Sequence, residues 1–126
     1  MVAHSHWDRE WYAPFEAYRT RLVSMMDGLL DLLADDQRFR HFHLDGQVAL
    51  VDDYLEVRPE AEERLADLIS SGRLSVGPWY VLMDEFCVSG ETLVRNLQLG
   101  LARAARLGAD PAIGYLPDMF GHVGQM

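Results

Sequence analysis

His4, His6 and Asp8 stand two residues apart in the run His-Ser-His-Trp-Asp, and Arg9, Glu10, Trp11 and Tyr12 follow at once. In an extended strand alternate side chains project to the same face. A strand over Val2 to His6 would therefore bring both imidazoles and the carboxylate together at its end. Two imidazoles and a carboxylate so placed are half of a divalent-metal site. Trp7, Trp11 and Tyr12 share the segment, and a metal beside exposed aromatic faces suits a polar ligand with apolar patches, as sugars have. The same residues also fit a hydrogen-bonded strand end packed by core aromatics.

A second group lies near the other end of the chain, where Tyr115 to His122 reads Tyr-Leu-Pro-Asp-Met-Phe-Gly-His. Leu116 precedes a proline and is kept extended, which aims Asp118 along the strand axis. An aspartate there can be a metal ligand, a nucleophile or both, and it can equally be a turn or capping residue. His122 reads as loop support. His6, Asp8 and Asp118 together give three ligands, the number typical of a catalytic metal site with an open position. Between the two groups, Pro78 to Gly90 gathers Trp79, Tyr80, Asp84 and Glu85. The two acids either line a ligand site or cap their loop.

Short β-like runs alternate with amphipathic helices along the chain, the pattern of an α/β fold around a mostly parallel sheet. After the strand at Val2 to His6, Pro14 opens a helix. Phe15, Tyr18, Leu22, Met25, Leu29 and Leu33 recur in it at helical spacing, and it ends near Asp35, with Met25 and Met26 as core. Arg40 to Leu44 alternates as a second strand, closed by Asp45-Gly46, and a short helix follows from about Gln47 to Val57. Pro59 starts another helix with Glu60, Glu62 and Glu63 at its positive end and Gly72 as its stop. Leu74 to Gly77 is the third strand. Ser89 caps a helix with an apolar stripe of Leu93, Leu97, Leu101 and Leu107, ended by Gly108, and Ala112 to Leu116 is the fourth strand. The chemistry-bearing loops follow strands one, three and four, as sites at the C-terminal ends of parallel strands do.

The chain has 126 residues and a formal charge of −9, which argues against nucleic acid, whose phosphates call for clustered basic residues. All 11 basic residues are arginine. At 49% hydrophobic and 25% charged residues the composition is that of a soluble globular protein. No apolar run reaches the length of a bilayer span, and His4 leaves no room for a leader peptide. The single cysteine, Cys87, fits a reducing, cytoplasmic setting and is expected to be a small buried residue.

The segments His-Ser-His-Trp-Asp-Arg-Glu-Trp-Tyr at His4 to Tyr12, Leu-Asp-Gly-Gln at Leu44 to Gln47, Asp-Asp-Tyr at Asp52 to Tyr54, Gly-Pro-Trp-Tyr at Gly77 to Tyr80, Ser89 to Leu97 and Gly114 to His122 resemble, in order, the α-mannosidases of glycoside hydrolase family 38. The wording is nearest to bacterial members of the α-mannosidase and mannosylglycerate hydrolase type. The resemblance implies an incomplete (β/α)7-barrel-like domain truncated after about four strands, with residues 1–126 as the N-terminal part of the catalytic domain. It further implies one Zn²⁺ per site held by His6, Asp8 and Asp118, with a later histidine completing the set. Asp118 would be the catalytic nucleophile of a retaining reaction on an α-mannoside, and Trp11 and Phe120 would line the sugar subsite; Asp84 is a further candidate for contacting sugar hydroxyls. His4 matches a family position that is not a ligand. Family members run to many hundreds of residues, and their acid/base carboxylate lies beyond the matched segments, so these 126 residues alone are expected to be inactive.

Two other classes fit the same residues. One is a metal-dependent sugar deacetylase-like hydrolase, in which the metal activates water and no glycosyl-enzyme forms. The other is a non-catalytic carbohydrate-binding remnant that keeps Trp11, Trp79 and Tyr80.

Overall fold

The computed structural model describes residues 2–110 and 113–126. The elements run α1 (Phe15–Asp35), β1 (Phe42–His43), α2 (Ala49–Leu55), a 3₁₀ turn at Pro59–Ala61 leading into α3 (Glu62–Ser70), β2 (Leu74–Ser75), a second 3₁₀ turn at Glu85–Cys87, and α4 (Gly90–Arg106). Pro14 is the extended residue at the N-terminus of α1, with φ −67° and ψ 159°. Leu22, Met26, Leu29, Leu30 and Leu33 follow one another on its buried stripe, and Met25 packs beside them. α2 lies against α1, and the buried Tyr54 donates its hydroxyl to Asp27 at 2.7 Å. Gly72, at φ +73°, supplies the left-handed residue that turns the chain out of α3 into β2.

β1 and β2 pair in parallel with Phe42 opposite Leu74 and His43 opposite Ser75. Leu44, Leu74 and Val76 sink into the core with the helices. His43 and Ser75 alternate to the other face, where with His4, His41 and Tyr115 they line a cleft of about 440 Å³.

The sheet is smaller than the sequence predicts, with two strands among the described residues. The expected strand at Val2 to His6 is reduced to a single parallel bridge from His4 to His43. The expected fourth strand begins at Ala112, outside the described residues, and Ile113 to Leu116 form no strand. The physical reason lies in how this segment is held. Tyr115 packs its ring edge on His43 at 4.6 Å and on His4 at 5.6 Å, so side chains and not a hydrogen-bond ladder fix it.

α4 begins as expected, with Ser89 Oγ accepting from the Thr92 N–H at 3.2 Å, but its buried face is not the leucine stripe. Asn96, Gly100, Ala104 and Leu107 are buried, whereas Leu101 is exposed and Leu93 and Leu97 line an open groove. Close approach explains the reversal. α4 lies directly on the main chain of Pro78 to Tyr80, where a methyl group on Gly100 would overlap the backbone. Asn96 seals the contact by accepting from the Val81 N–H at 2.9 Å and donating to the Val81 carbonyl at 2.7 Å. Arg103 binds Asp52 at 2.6 Å and ties α4 to α2.

Two further expectations change. Cys87 is exposed and not buried, because it ends the short 3₁₀ turn that projects Phe86 and Cys87 outward. Trp79 is buried at 6% exposure under α4 and borders the groove that Leu93 and Leu97 line, away from the cleft of Trp11. Among the described residues no helix is long and apolar enough to cross a membrane.

Candidate active site

The His6 segment has too few ladder bonds to be a strand, and buried polar side chains hold it instead. Ser5 donates its N–H to the His43 carbonyl at 3.2 Å and its hydroxyl to the Leu44 carbonyl. The Trp7 N–H donates to Asp45 Oδ2 at 2.9 Å, and Gln47 Nε2 donates to the Trp7 carbonyl at 2.8 Å. Asp45 is fully buried and also accepts from the Gly46 N–H and from Gln47 Nε2. Burial pushes its carboxyl above the usual carboxylate range, against the pull of those donors. One residue past Asp8, Arg9 grips Asp53 with two bonds of 2.6 and 2.7 Å. Trp7 turns inward and meets Tyr18 edge-on at 6.4 Å, which leaves His6 and Asp8 on the outer side of the segment.

His6 Nε2 lies 3.7 Å from an Asp8 carboxylate oxygen and 3.7 Å from one of Asp118. Two acids from opposite ends of the sequence thus meet one imidazole. Two ligands each about 2.1 Å from a tetrahedral ion stand roughly 3.4 Å apart, so the spacing fits a small divalent cation between nitrogen and oxygen. The donor set, one imidazole nitrogen and carboxylate oxygens, is one that zinc accepts. Among the described residues no three His, Cys, Asp or Glu side chains form a ready-made cage, so the fit lies in the two His6 pairs.

Asp118 adopts φ +56°, a left-handed conformation uncommon for a residue other than glycine. The turn after Pro117 needs it to swing the carboxylate back toward His6. Aspartate tolerates the region better than most residues, at a cost on the order of 1 kcal/mol.

These three residues line one cleft of about 250 Å³ together with Trp11, Leu82, Met83, Asp84, Pro117, Met119 and Phe120. His6, Asp8, Trp11, Asp84, Asp118 and Phe120, the residues that the family resemblance assigns to the site or that were named as sugar contacts, therefore reach the same place. Trp11 and Phe120 are 64% and 79% exposed, so their faces are open to a bound molecule. Leu82 and Met83 were not expected, being apolar residues in a loop whose acids drew attention. His4 does not join His6, contrary to the alternation argument. Its Nδ1 meets the Tyr115 hydroxyl at 2.5 Å and it lines the other cleft. The reason is that the segment is a strand only at His4, so strict alternation does not carry past it.

Asp84 and Glu85 part company. Asp84 lines the cleft while its Oδ1 caps the 3₁₀ turn by accepting from the Phe86 N–H at 3.2 Å. Glu85 is buried and faces away, accepting from His122 Nδ1 at 2.7 Å and from the Val123 N–H at 2.8 Å. Donation from His122, and then from Val123, holds its carboxyl below the usual range.

Residues 1–126 match the family model described as the N-terminal domain of glycosyl hydrolases family 38. The chain is 50% identical over 126 residues to a protein of Halalkalibacterium halodurans named "Putative mannosylglycerate hydrolase", and it spans 99% of this chain but 14% of that protein. The solved structure of an alpha-mannosidase from Enterococcus faecalis V583 superposes with a TM-score of 0.94 at 48% identity, covering 98% of this chain and 14% of that one. A second Enterococcus faecalis protein, described as belonging to glycosyl hydrolase family 38, superposes at 0.86 with 43% identity, over 95% of this chain and 14% of its own.

Proposed function

The chain belongs to glycosyl hydrolase family 38, and from that premise we propose that it forms the front part of the catalytic domain of a zinc-dependent, retaining α-mannosidase. The observation that carries the reading is His6 Nε2 at 3.7 Å from both Asp8 and Asp118, in a cleft walled by the open faces of Trp11 and Phe120. His6, Asp8 and Asp118 would hold the Zn²⁺, with a further ligand from elsewhere in the full-length protein. When bound, the ion supplies positive charge that gathers vicinal sugar hydroxyls and steadies the negative site.

The remaining work falls to residues of the chain. Asp118 is the nucleophile: its carboxylate oxygen bonds to the anomeric carbon as the glycosidic C–O bond breaks, giving a glycosyl ester that water then cleaves. Its turn presents it at the cleft mouth, and Trp11 and Phe120 offer apolar surface to the C–H faces of the ring. Asp84 accepts from a sugar hydroxyl across the cleft. The second carboxyl of a retaining pair, expected roughly 5 to 5.5 Å from the first, comes from outside these residues, so the 126-residue chain alone does not turn over mannoside. Terminal α-mannose on a glycan and mannosylglycerate both fit as substrates. A cytoplasmic setting is part of the same proposal.

The test is to incubate the protein in its full natural length with a fluorinated α-mannosyl inactivator and map the adduct by mass spectrometry. Labelling of Asp118 that a chelator abolishes and Zn²⁺ restores is the expected result. An unlabelled Asp118 in protein that still cleaves the substrate would refute the nucleophile assignment and favour metal-activated water.

A further inference from the structure

The main chain of the loop that carries Asp118 is held at its two ends, and between them the contact to the rest of the fold is the Asp118 carboxylate at 3.7 Å from His6 Nε2. Among the described residues, no main-chain hydrogen bond secures any residue from Leu116 to Gly121. At the near end Tyr115 rests on His4 and His43. At the far end Glu85 takes both the His122 ring N–H and the Val123 main-chain N–H, with its own side chain fully buried. Phe86 lies against Gly121, so closely that a methyl group there would overlap the ring, and Gly121 itself sits at φ +138°. Asp84, the residue before Glu85, caps the 3₁₀ turn and lines the same cleft as Asp118. Two consecutive residues of one 3₁₀ turn therefore meet the Asp118 loop at two places, Phe86 at its glycine and Glu85 at its exit.

We propose that Glu85 is the positioning residue of the Asp118 loop, fixing the angle at which the carboxylate enters the cleft without touching substrate. A left-handed aspartate in an otherwise unbonded loop relaxes unless both ends are fixed. Glu85 fixes the end that no strand provides. It does so with a charged acceptor shielded from water, where such bonds are strong and geometrically strict. This inference rests on the nucleophile reading of Asp118 for its catalytic consequence, and on geometry alone for the clamp.

The experiment compares wild type, Glu85→Ala, Glu85→Gln and His122→Ala in the full-length protein, by hydrogen exchange of the peptide spanning residues 115–123 and by kcat and KM on an aryl α-mannoside. His122 is exposed, so its truncation leaves folding intact while removing one of the two bonds. Exchange in that peptide is expected to rise on the order of ten-fold in Glu85→Ala and less in the other two. kcat is expected to fall roughly 10- to 100-fold with KM within about three-fold, as misplacement of a reacting group by about 1 Å does. Glu85→Gln, which keeps an acceptor for Val123, is expected to recover part of the loss. Unchanged exchange in both Glu85→Ala and His122→Ala overturns the clamp, and raised exchange with unchanged kcat overturns its catalytic role. Raised exchange in protein whose wild type does not cleave mannoside upholds the clamp and sinks the mannosidase reading instead.

Discussion

Replacing Arg9 with methionine tests whether the segment bearing His6, Asp8 and Trp11 is held by charge. Both guanidinium bonds to Asp53 vanish, and the Asp53 side chain, only 10% exposed, is left without its partner. Breaking a buried pair from one side costs about 3 to 5 kcal/mol. The Arg9 side chain is 36% exposed, so water already screens part of the interaction and about 2 kcal/mol is the better figure. Methionine keeps apolar contact with the Phe15 ring, over which the guanidinium carbon sits at 5.1 Å, so packing is largely kept, and the cation–π contact adds about 0.5 to 1 kcal/mol to the loss that the double substitution separates from the ion pair. Urea unfolding of the chain, followed by tryptophan fluorescence, is the assay. With a slope of roughly 2 kcal/mol per molar, the midpoint should fall by about 1 M. Lysine in place of Arg9 should recover less than half, since an ammonium cannot match the carboxylate with two parallel bonds. Arg9→Met combined with Asp53→Leu should be more stable than Arg9→Met alone, because the stranded carboxyl is gone. A midpoint shift under about 0.3 M, or strictly additive single effects, would refute the claim that this pair anchors the segment.

Two more outcomes follow from the packing. Tyr54→Phe removes the donor to Asp27 and should cost about 1 kcal/mol near neutral pH, measured by chemical unfolding. Because that bond holds the Asp27 carboxyl below its ordinary value, its stabilisation is complete above the unfolded pKa near ~3.9 and is lost as pH falls through the folded one. The gap between variant and wild type should therefore narrow from pH ~5 downward, and a gap independent of pH would contradict the assignment. Gly100→Ala should destabilise by roughly 1 to 3 kcal/mol through overlap with the main chain of Pro78 to Tyr80, whereas Gly28→Ala in α1, with open space around it, should stabilise by about 0.5 to 1 kcal/mol. Opposite signs in thermal unfolding are the check.

Helices α1, α3 and α4 are legible because they carry local signals that tertiary structure does not override, whereas α2, Ala49–Leu55, has no capping side chain and is shorter than the expected Gln47 to Val57. Pro14, Pro59 and Ser89 start helices and Gly72 ends one, where sequence alone places them. The strands at either end were not legible in this way. A strand exists only through its neighbour's hydrogen bonds, and the first segment gets one bridge while Ile113 to Leu116 get none among the described residues. The same gap misled the pairing of His4 with His6. Motif residues did better than geometry: His6, Asp8, Trp11, Asp84, Asp118 and Phe120 all line one cleft. The buried face of α4 is not legible in the sequence because leucines outnumber the small and polar residues that make the real contact. Glycine and asparagine carry no hydrophobic signal, yet Gly100 and Asn96 decide which side faces inward. Glu85 was recognised as either lining or capping, and only its burial separates it from Asp84.

The anchors Asp45 and Glu85 share one habit: each grips a main-chain N–H, that of Trp7 in the first case and Val123 in the second. A peptide N–H is present whatever side chain the residue carries, proline excepted. The grip is therefore blind to residue identity at positions 7 and 123, while the two acids themselves have no substitute of equal reach and charge. Mutational drift can rewrite position 123 without loosening that grip, whereas position 7 answers also to the packing of Trp7 on Tyr18. An engineer seeking new specificity therefore has more freedom at position 123 than at position 7, and almost none at the two acids.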